Sequence, residues 1–409
     1  MRLIKLSFVV CAFLVISLTA LAQGDMPIRI PGGTKFHRLN MVRTPTDKLQ
    51  PALLGSAIPT YSYSVVSPVD GKTYSGQIIG VNPSVRPAHA TVIPVIVIPV
   101  RLIFQYSSSK FIFDPTAGDP GCLGTGRTAL SLTQESPLFN DTRYVFGGTN
   151  VGNTQYIDAF QRANFWKEVS ASGGVIYHTL LGFTPMPLQT VTVSSANSGT
   201  PSGTVFSLPG ECGTNSGVVN APGLLGVMNL DFFNVTTLSL MRKLGVTPDS
   251  FVLFLLYNAA MAQGNPTFSG NCCILGYHTI TGAQTGLQTY GVASFEGRNQ
   301  TQFEGVADTS VLSHELGEWI NDPQSQSATP PWGQLPFCSS VYEVGDPLNQ
   351  TLMPEVKMPN GFTYHLSRTG LLLMVLSHIP FRWSSGRQVC SSVNDATPDF
   401  RGRSNRWDI

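Results

Sequence analysis

The amino-acid sequence predicts an α+β protein. Nearly unbroken apolar runs, such as Phe251–Tyr257, are typical of strands that are covered on both faces. Other segments, such as Leu230–Leu244, repeat apolar residues at three- and four-residue spacing, which indicates helices. Only 12% of the residues are charged, while 40 are glycine and 29 are proline. This composition is typical of an exported chain that is rich in turns and sheet.

The N-terminal region predicts β structure. Residues 23–58 read as an extended, proline-rich leader, and Thr60–Val81 predicts a hairpin whose turn is Asp70-Gly71. The β-branched run Val92–Val100 predicts the first strand of the main domain. Because its two prolines cannot donate to a sheet ladder, we expect an edge or bulged strand.

The remaining elements follow the same two patterns. We expect further helices at Thr154–Val169 and at Leu230–Leu244, the latter closed by Gly245. Further strands are expected at Leu188–Val193, Phe251–Tyr257, Cys273–His278 and Thr289–Phe295.

The chain divides into four predicted parts. Residues 1–22 are a signal peptide, 23–87 the leader and hairpin region, 88–366 the main domain and 367–409 an atypical tail. From Arg368 to the end, six arginines and no lysine occur, and the apolar periodicity is lost after Leu376. We expect this tail to be disordered or to reflect a shifted reading frame.

The first residues predict export. Arg2 and Lys5 precede the apolar run Leu6–Leu18, and Ala20–Ala22 places small residues where a signal peptidase reads, so cleavage is expected before Gln23. The alternative is an uncleaved membrane anchor. No later apolar stretch reaches about 18 residues, so we expect a secreted or periplasmic protein without membrane contact after cleavage.

The charge balance argues against nucleic-acid binding. Cleavage would remove Arg2 and Lys5, which leaves 23 of the 25 basic residues against 24 acidic ones. Nucleic-acid binding requires a basic surface, and a nearly neutral chain does not predict one.

The cysteines favour disulfides. Seven are present, and six remain once Cys11 leaves with the signal peptide: Cys122, Cys212, Cys272, Cys273, Cys338 and Cys390. An even number in an exported protein favours disulfide bonds, whose pairing the sequence leaves open. A thiolate zinc site is the alternative, but no C-x-x-C pair is present.

The segment 308–323 predicts a helix with two distinct faces. Asp308 or Thr309 is a suitable N-cap, and Pro323 ends the helix. One face is an apolar core stripe formed by Leu312, Leu316, Trp319 and Ile320. The opposite face carries ionisable residues, namely His314, Glu318 and Asp322, with Glu315 at its margin.

The ionisable face has the pattern of a hydrolytic metal site. Residues four positions apart on a helix can share one ion, as in the H-E-x-x-H motif, and here Glu318 takes the place of the second histidine. Zinc accepts both imidazole and carboxylate ligands, so Zn²⁺ bound by His314 and Glu318 is the predicted cofactor. Glu315 occupies the position of the general base that deprotonates an activated water molecule.

A third ligand is expected from the segment 341–347. It contains Glu343 and Asp346 beside a glycine, and the sequence does not separate these two candidates. Asp322 is an alternative third ligand from the helix itself. It lies about 12 Å along the axis from His314, at about 1.5 Å per residue, so we expect it to orient a ligand or to close the helix.

The sequence His314–Pro323, HELGEWINDP, resembles the H-E-x-x-E-x-x-x-D-P element of secreted zincin-like proteins. These include exported proteins of soil bacteria and, more distantly, the EXORDIUM-like phosphate-induced proteins of plants. Residues 271–278 and the stretch YEVGDP are also similar to the bacterial group, so the resemblance covers about residues 250–366. It implies that the main domain is zincin-like, with a twisted mixed β-sheet and an active-site helix beneath its edge strand. The glutamate at position 318 departs from classical zincins.

Two Tyr-His pairs are secondary candidates. His278 follows Tyr277 and His365 follows Tyr364, and either histidine could complete the metal shell, while either tyrosine could stabilise an oxyanion. The alternative is a half-buried aromatic pair that ends a strand.

Three functional hypotheses follow from these residues. The first is a secreted zinc-dependent hydrolase, a metallopeptidase with a peptide or protein substrate. The second is a non-catalytic exported surface or matrix protein that retains a zincin scaffold. The third, suggested by the glycine, serine, threonine and aromatic content alone, is a carbohydrate-binding wall protein.

Overall fold

The computed structural model describes residues 28–29, 58–67, 70–146, 149–171, 173–174, 176–194, 202–207, 219–221, 223–266, 272–283, 286–297, 306–334, 337–346, 353–367 and 407–408. Within these residues the chain is a mixed α+β protein, as the sequence predicts. The predicted signal peptide and all of the predicted tail except residues 367 and 407–408 lie outside this part of the chain. Among the described helices, none combines the length and the apolar character that a membrane crossing needs.

The described elements alternate along the chain. The helices are α1 Ala129–Gln134, α2 Tyr156–Asn164, α3 Trp166–Ala171, α4 Leu230–Leu244 and α5 Ser310–Asn321. The strands are β1 Ile28–Arg29, β2 Thr60–Val66, β3 Thr73–Ile79, β4 Ala90–Gln105, β5 Lys110–Phe113, β6 Thr142–Phe146, β7 Thr149–Thr154, β8 His178–Pro185, β9 Gln189–Ser194, β10 Gly203–Ser207, β11 Leu224–Asn229, β12 Phe251–Tyr257, β13 Ala259–Ala262, β14 Cys272–Ile274, β15 Gly276–Ala283, β16 Gly286–Phe295, β17 Ala328–Gln334, β18 Phe337–Val341, β19 Glu355–Lys357, β20 Thr363–His365 and β21 Trp407–Asp408.

The main sheet is mixed. Its strands are ordered β15-β16-β12-β4-β5, and β8 and β9 also pair with β4. The pairs β16–β12, β12–β4, β4–β8 and β4–β9 are parallel, while β15–β16 and β4–β5 are antiparallel. A second sheet has the order β1-β10-β11-β13-β14, and the predicted hairpin forms as β2 and β3 with the Asp70-Gly71 turn between them.

The expectation that Val92–Val100 forms an edge or bulged strand is wrong, because β4 lies at the centre of the sheet. Its prolines occupy positions where a missing N–H costs little. Pro94 lies one residue before Val95, where pairing with β12 begins. Pro99 lies between Val97, the last residue paired with β8, and Val100, the first paired with β9. The carbonyl of Val97 accepts a hydrogen bond from Met186, which follows β8. Backbone groups two residues apart in a strand point to the same side, so the nitrogen of Pro99 faces the gap between β8 and β9.

The two faces of β12 separate two layers of helices. Alternate residues of a strand point to opposite faces. Phe251, Leu253 and Leu255 pack in one buried cluster with Leu312, Leu316 and Trp319 of α5. Val252, Phe254 and Leu256 pack in another with Phe233, Leu240 and Met241 of α4. The helix that carries the ionisable residues is therefore held against one face of the sheet by its apolar stripe.

Two helix predictions have different outcomes. Leu230–Leu244 forms α4 within its predicted bounds, and Gly245 ends it in the left-handed conformation at φ 64°. The helix predicted over Thr154–Val169 is instead two helices that are interrupted at Phe165. Thr154 does not cap α2, because it ends β7 and its hydroxyl donates to Asp158.

Candidate metal centre

Helix α5 has the predicted bounds and is buried along its whole length. It begins after the N-cap Thr309 and ends at the C-cap Asp322, before Pro323. Trp319 stacks on Phe251 of the central strand with ring centroids 4.0 Å apart. The polar face of α5 does not face solvent, since His314 is only 1% exposed. It faces β15 and the segment that follows β18.

His314 and Glu318 converge on this face. The distance from His314 Nε2 to Glu318 Oε1 is 2.8 Å, and both side chains are almost fully buried. Glu315 adds a third donor, because one ligand atom of each of these residues lies within 4.8 Å of the others. One helical turn therefore presents an imidazole and two carboxylates to a single small volume.

Asp346 approaches the same imidazole nitrogen from the loop after β18. Its Oδ1 lies 3.1 Å from His314 Nε2. The backbone N–H of Gly345 donates to Glu318 Oε1 at 3.2 Å. A Cβ at position 345 would collide with the imidazole ring of His314, so glycine permits the close approach of this loop.

His278 brings a second imidazole from the outermost strand β15. Its Nδ1 lies 3.6 Å from Glu315 Oε2 and 3.7 Å from Glu318 Oε2. Its Nε2 lies 4.0 Å from Glu343 Oε2. Gly276, two residues earlier on the same face, lets α5 approach, because a Cβ there would lie 2.7 Å from Glu315 Oε1. The structure thus separates the two candidate acids: Asp346 lies beside His314, and Glu343 lies beside His278.

Negative charge accumulates in this cluster. Burial raises the pKa of Glu343 well above its usual range, and the nearby charges of Glu318 and Asp346 raise it further. Burial also raises the pKa of Asp322, and the neighbouring His278 partly offsets this effect. Burial opposes protonation of His278, but the carboxylates around it raise its pKa overall. Charged groups are costly in a buried site unless cations compensate them.

Two polar atoms of the cluster lack hydrogen-bond partners within the described part of the chain. They are His278 Nε2 and Glu343 Oε2, and both are buried. Imidazole nitrogen and carboxylate oxygen are ligands that zinc accepts. The donor set and its unsatisfied atoms therefore fit a divalent transition-metal cation.

Ser367 is a functional candidate that sequence reasoning missed. Its Oγ lies 3.2 Å from Nδ1 of His314, and its backbone N–H donates to the hydroxyl of Ser313 at 2.7 Å. A contact at Nδ1 orients the imidazole so that Nε2 faces the carboxylates. No motif surrounds Ser367, which lies at the start of the predicted tail, so the sequence carries no signal for it.

Three predicted candidates, namely Asp322, Tyr277 and His365, make contacts other than those of the assigned cluster around His314. Asp322 accepts hydrogen bonds from the backbone N–H and the hydroxyl of Ser327, both at 2.9 Å, which fits the expectation that it closes the helix. Tyr277 donates its hydroxyl to Asn234 of α4 at 2.6 Å. It packs in the cluster of the α4 face, on the side of the sheet opposite α5, so the structure does not bring it to His314.

His365 belongs to a different pair. Its Nδ1 lies 2.5 Å from Asp308 Oδ2, and its Nε2 lies 3.7 Å from Glu355 Oε1. Asp308 precedes α5, so this pair lies at the N-terminal end of the helix, more than one turn from His314. The contacts shown by the structure do not join His365 to the candidate metal centre.

Three of the cysteines are oxidised. Cys272 and Cys273 form a disulfide with each other in β14, immediately before β15, and Cys122 is disulfide-bonded as well. These residues therefore offer no thiolate to a metal ion. This outcome agrees with the preference for disulfides over a thiolate zinc site.

The comparisons with known proteins return no relative. No family model, no curated protein and no solved structure matches the chain. The chemistry of the buried cluster is consequently the basis for a functional proposal.

Proposed function

We propose that this protein is a secreted zinc-dependent hydrolase that acts on peptides or proteins. The observation that carries the proposal is the buried convergence of Glu318 and Asp346 on Nε2 of His314, at 2.8 and 3.1 Å. These three residues are assigned as zinc ligands. The position of α5 against β15 and β16 supports a zincin-type arrangement, in which the active-site helix lies beneath the edge strand of a mixed sheet.

The residues around the ligands suit hydrolysis. Zinc in such a site lowers the pKa of a water molecule and polarises a carbonyl group. Glu315 then acts as the general base: it accepts a proton from the attacking water and returns it to the leaving amine. Gly276 lets Glu315 lie close to β15, because a Cβ at position 276 would lie 2.7 Å from Glu315 Oε1.

A second candidate is a non-catalytic protein with a structural cation. It is favoured by the burial of His314, Glu315 and Glu318, none of which is more than 3% exposed. Structural zinc sites are closed, whereas catalytic sites keep a position open for water or substrate. The two candidates share the metal and differ in whether Glu315 has a chemical role.

The variant Glu315→Gln separates the two candidates. If Glu315 is the base, the wild type cleaves members of a broad peptide library. The variant should lose about 100-fold or more of this activity, the contribution typical of general-base catalysis. Its zinc content and melting temperature should stay close to those of the wild type. Equal inactivity of two zinc-loaded proteins would favour the structural cation, and a wild type without bound zinc would refute both candidates.

A further inference from the structure

We propose that the cluster binds a second divalent cation, held by His278 and Glu343, with Glu318 as a carboxylate that bridges it to the first. The proposal rests on the proposed function in one respect, since it takes the site of His314 and Glu318 as the first cation site. It goes beyond that function because neither His278 nor Glu343 is needed there.

The two oxygens of Glu318 face different histidines. Oε1 lies 2.8 Å from Nε2 of His314, and Oε2 lies 3.7 Å from Nδ1 of His278. The histidines come from different elements, α5 and β15, on either side of this carboxylate. Carboxylates supplied by helices, together with one histidine per metal, are the donors of the di-iron and di-manganese carboxylate proteins.

A second set of donors has the spacing that one ion requires. Ligand atoms of His278, Glu318 and Glu343 all lie within 4.8 Å of one another. Zinc ligands lie about 2.0–2.2 Å from the ion, so two of its ligands are at most about 4.4 Å apart. Small side-chain rotations would bring all three donors to one ion. This set shares only Glu318 with the set formed by His314, Glu315 and Glu318.

The unsatisfied atoms are an independent observation, and both belong to the second set. Neither His278 Nε2 nor Glu343 Oε2 has a hydrogen-bond partner within the described residues, and the side chain of His278 is only 3% exposed. A buried polar atom without a partner costs about 1–3 kcal/mol. Nothing in the first site uses these atoms, whereas coordination of a second ion would engage both residues.

The number of carboxylates in the cluster also favours more than one divalent cation. The carboxylates that surround the two histidines are Glu315, Glu318, Asp322, Glu343 and Asp346. One divalent cation balances two carboxylate charges, and two divalent cations together balance four. Like charges that are buried together repel strongly in a medium of low dielectric constant, so double occupancy is electrostatically favourable.

Counting bound ions tests the proposal. The full chain would be stripped with EDTA, loaded with Mn²⁺, and examined by native mass spectrometry and by electron paramagnetic resonance. We expect two ions per wild-type chain, with the magnetic coupling of a bridged pair. His278→Ala and Glu343→Gln should each bind one ion and give an uncoupled signal.

The controls separate the possible failures. His178→Ala removes a histidine that contacts Asp158 outside the cluster, so it should still bind two ions. Glu343→Gln preserves the shape of a side chain that is partly exposed, and circular dichroism would establish that each variant is folded. One ion in the wild type that remains in His278→Ala would overturn the second site and leave the proposed function standing. One ion that is lost in His278→Ala would overturn both the second site and the assignment of His314, Glu318 and Asp346 as the zinc ligands. No ion in the wild type when Zn²⁺ replaces Mn²⁺ in the loading would refute the proposed function itself.

Discussion

Histidines that contact carboxylates in this protein have two kinds of surroundings, and the comparison separates structural residues from a site. His178 contacts Asp158, whose carboxylate also accepts hydrogen bonds from the hydroxyl of Thr154 and the backbone N–H of Thr179. His314 instead contacts two carboxylates through one nitrogen. In the arrangement around His178, one carboxylate accepts from several hydrogen-bond donors. In the arrangement around His314, several carboxylates surround one imidazole.

The pair at the start of α5 belongs to the first kind. Asp308 accepts from the backbone N–H groups of Thr309 and His365, and it contacts the imidazole of His365 as well. Its hydrogen bonds tie β20 to the beginning of the helix. Both Asp-His pairs are therefore assigned to the scaffold, whereas the surplus of carboxylates around His314 and His278 calls for cations. Substitutions in the Asp-His pairs should lower the free energy of unfolding and leave metal binding unchanged. Substitutions in the cluster around His314 and His278 should mainly weaken metal binding.

The largest expected effect is the loss of zinc from His314→Ala. Loss of groups that only orient a ligand weakens metal binding about 10–100-fold, so removal of a ligand should cost more than about 100-fold. The matched variant His178→Ala should retain the wild-type affinity. Competition with a chromogenic chelator measures both affinities. Equal zinc affinities of His314→Ala and His178→Ala would contradict the assignment of His314 to a metal site and of His178 to the scaffold.

Asp158→Ala should give the largest loss of stability. The substitution leaves the donors of Thr154, His178 and Thr179 without their buried acceptor, and a buried donor without a partner costs about 1–3 kcal/mol. Urea unfolding in excess EDTA measures the free energy of unfolding without a contribution from metal. The zinc affinity of the folded variant should be unchanged. A loss below about 1 kcal/mol would show that this pair is not structural.

Zinc should stabilise the wild-type protein. A ligand that binds only the folded state adds about 2.7 kcal/mol to the free energy of unfolding when its free concentration is about 100 times Kd. Urea unfolding curves with buffered zinc and with EDTA would show this difference in the wild type and in Asp158→Ala. His314→Ala should show no such difference. Stabilisation of all three proteins by the same amount would place the zinc elsewhere.

Ser367→Ala should have the smallest effect of the series. It removes the oxygen 3.2 Å from Nδ1 of His314 and leaves every proposed ligand in place. We expect zinc affinity to fall about 10–100-fold, as is typical when an orienting partner is lost. Ser170→Ala, at an exposed serine of α3, is the control and should bind zinc as the wild type does. An unchanged affinity of Ser367→Ala would mean that packing alone orients the ring.

The parts of the site that the sequence predicts are local. Helix α5 is bounded by Thr309 and Pro323, and residues four positions apart on a helix share a face, so the approach of His314 and Glu318 follows from a single element. The place of His278 depends on strand pairing, which is why it ranks only as a secondary candidate in the sequence. Strand alternation indicates that only one of Tyr277 and His278 can face α5, because these neighbours in β15 point to opposite faces of the sheet.

The fold, like the site, is predictable from the sequence only where the signals are local. Leu230–Leu244 and Phe251–Tyr257 have the predicted bounds, because their apolar patterns and the glycine after α4 are local signals. The central position of β4 was not predictable from its two prolines. Whether a missing N–H matters depends on which neighbour it faces, and here the partner strand changes from β8 to β9 beside Pro99.

Anomalous diffraction at the zinc absorption edge tests the central claim most directly. In crystals grown with zinc, the strongest anomalous peak should lie about 2.0–2.1 Å from Nε2 of His314, with Glu318 coordinated to the same ion. A zinc-loaded crystal whose anomalous density lies elsewhere, with the imidazole of His314 still hydrogen-bonded directly to carboxylates, would contradict the metal centre.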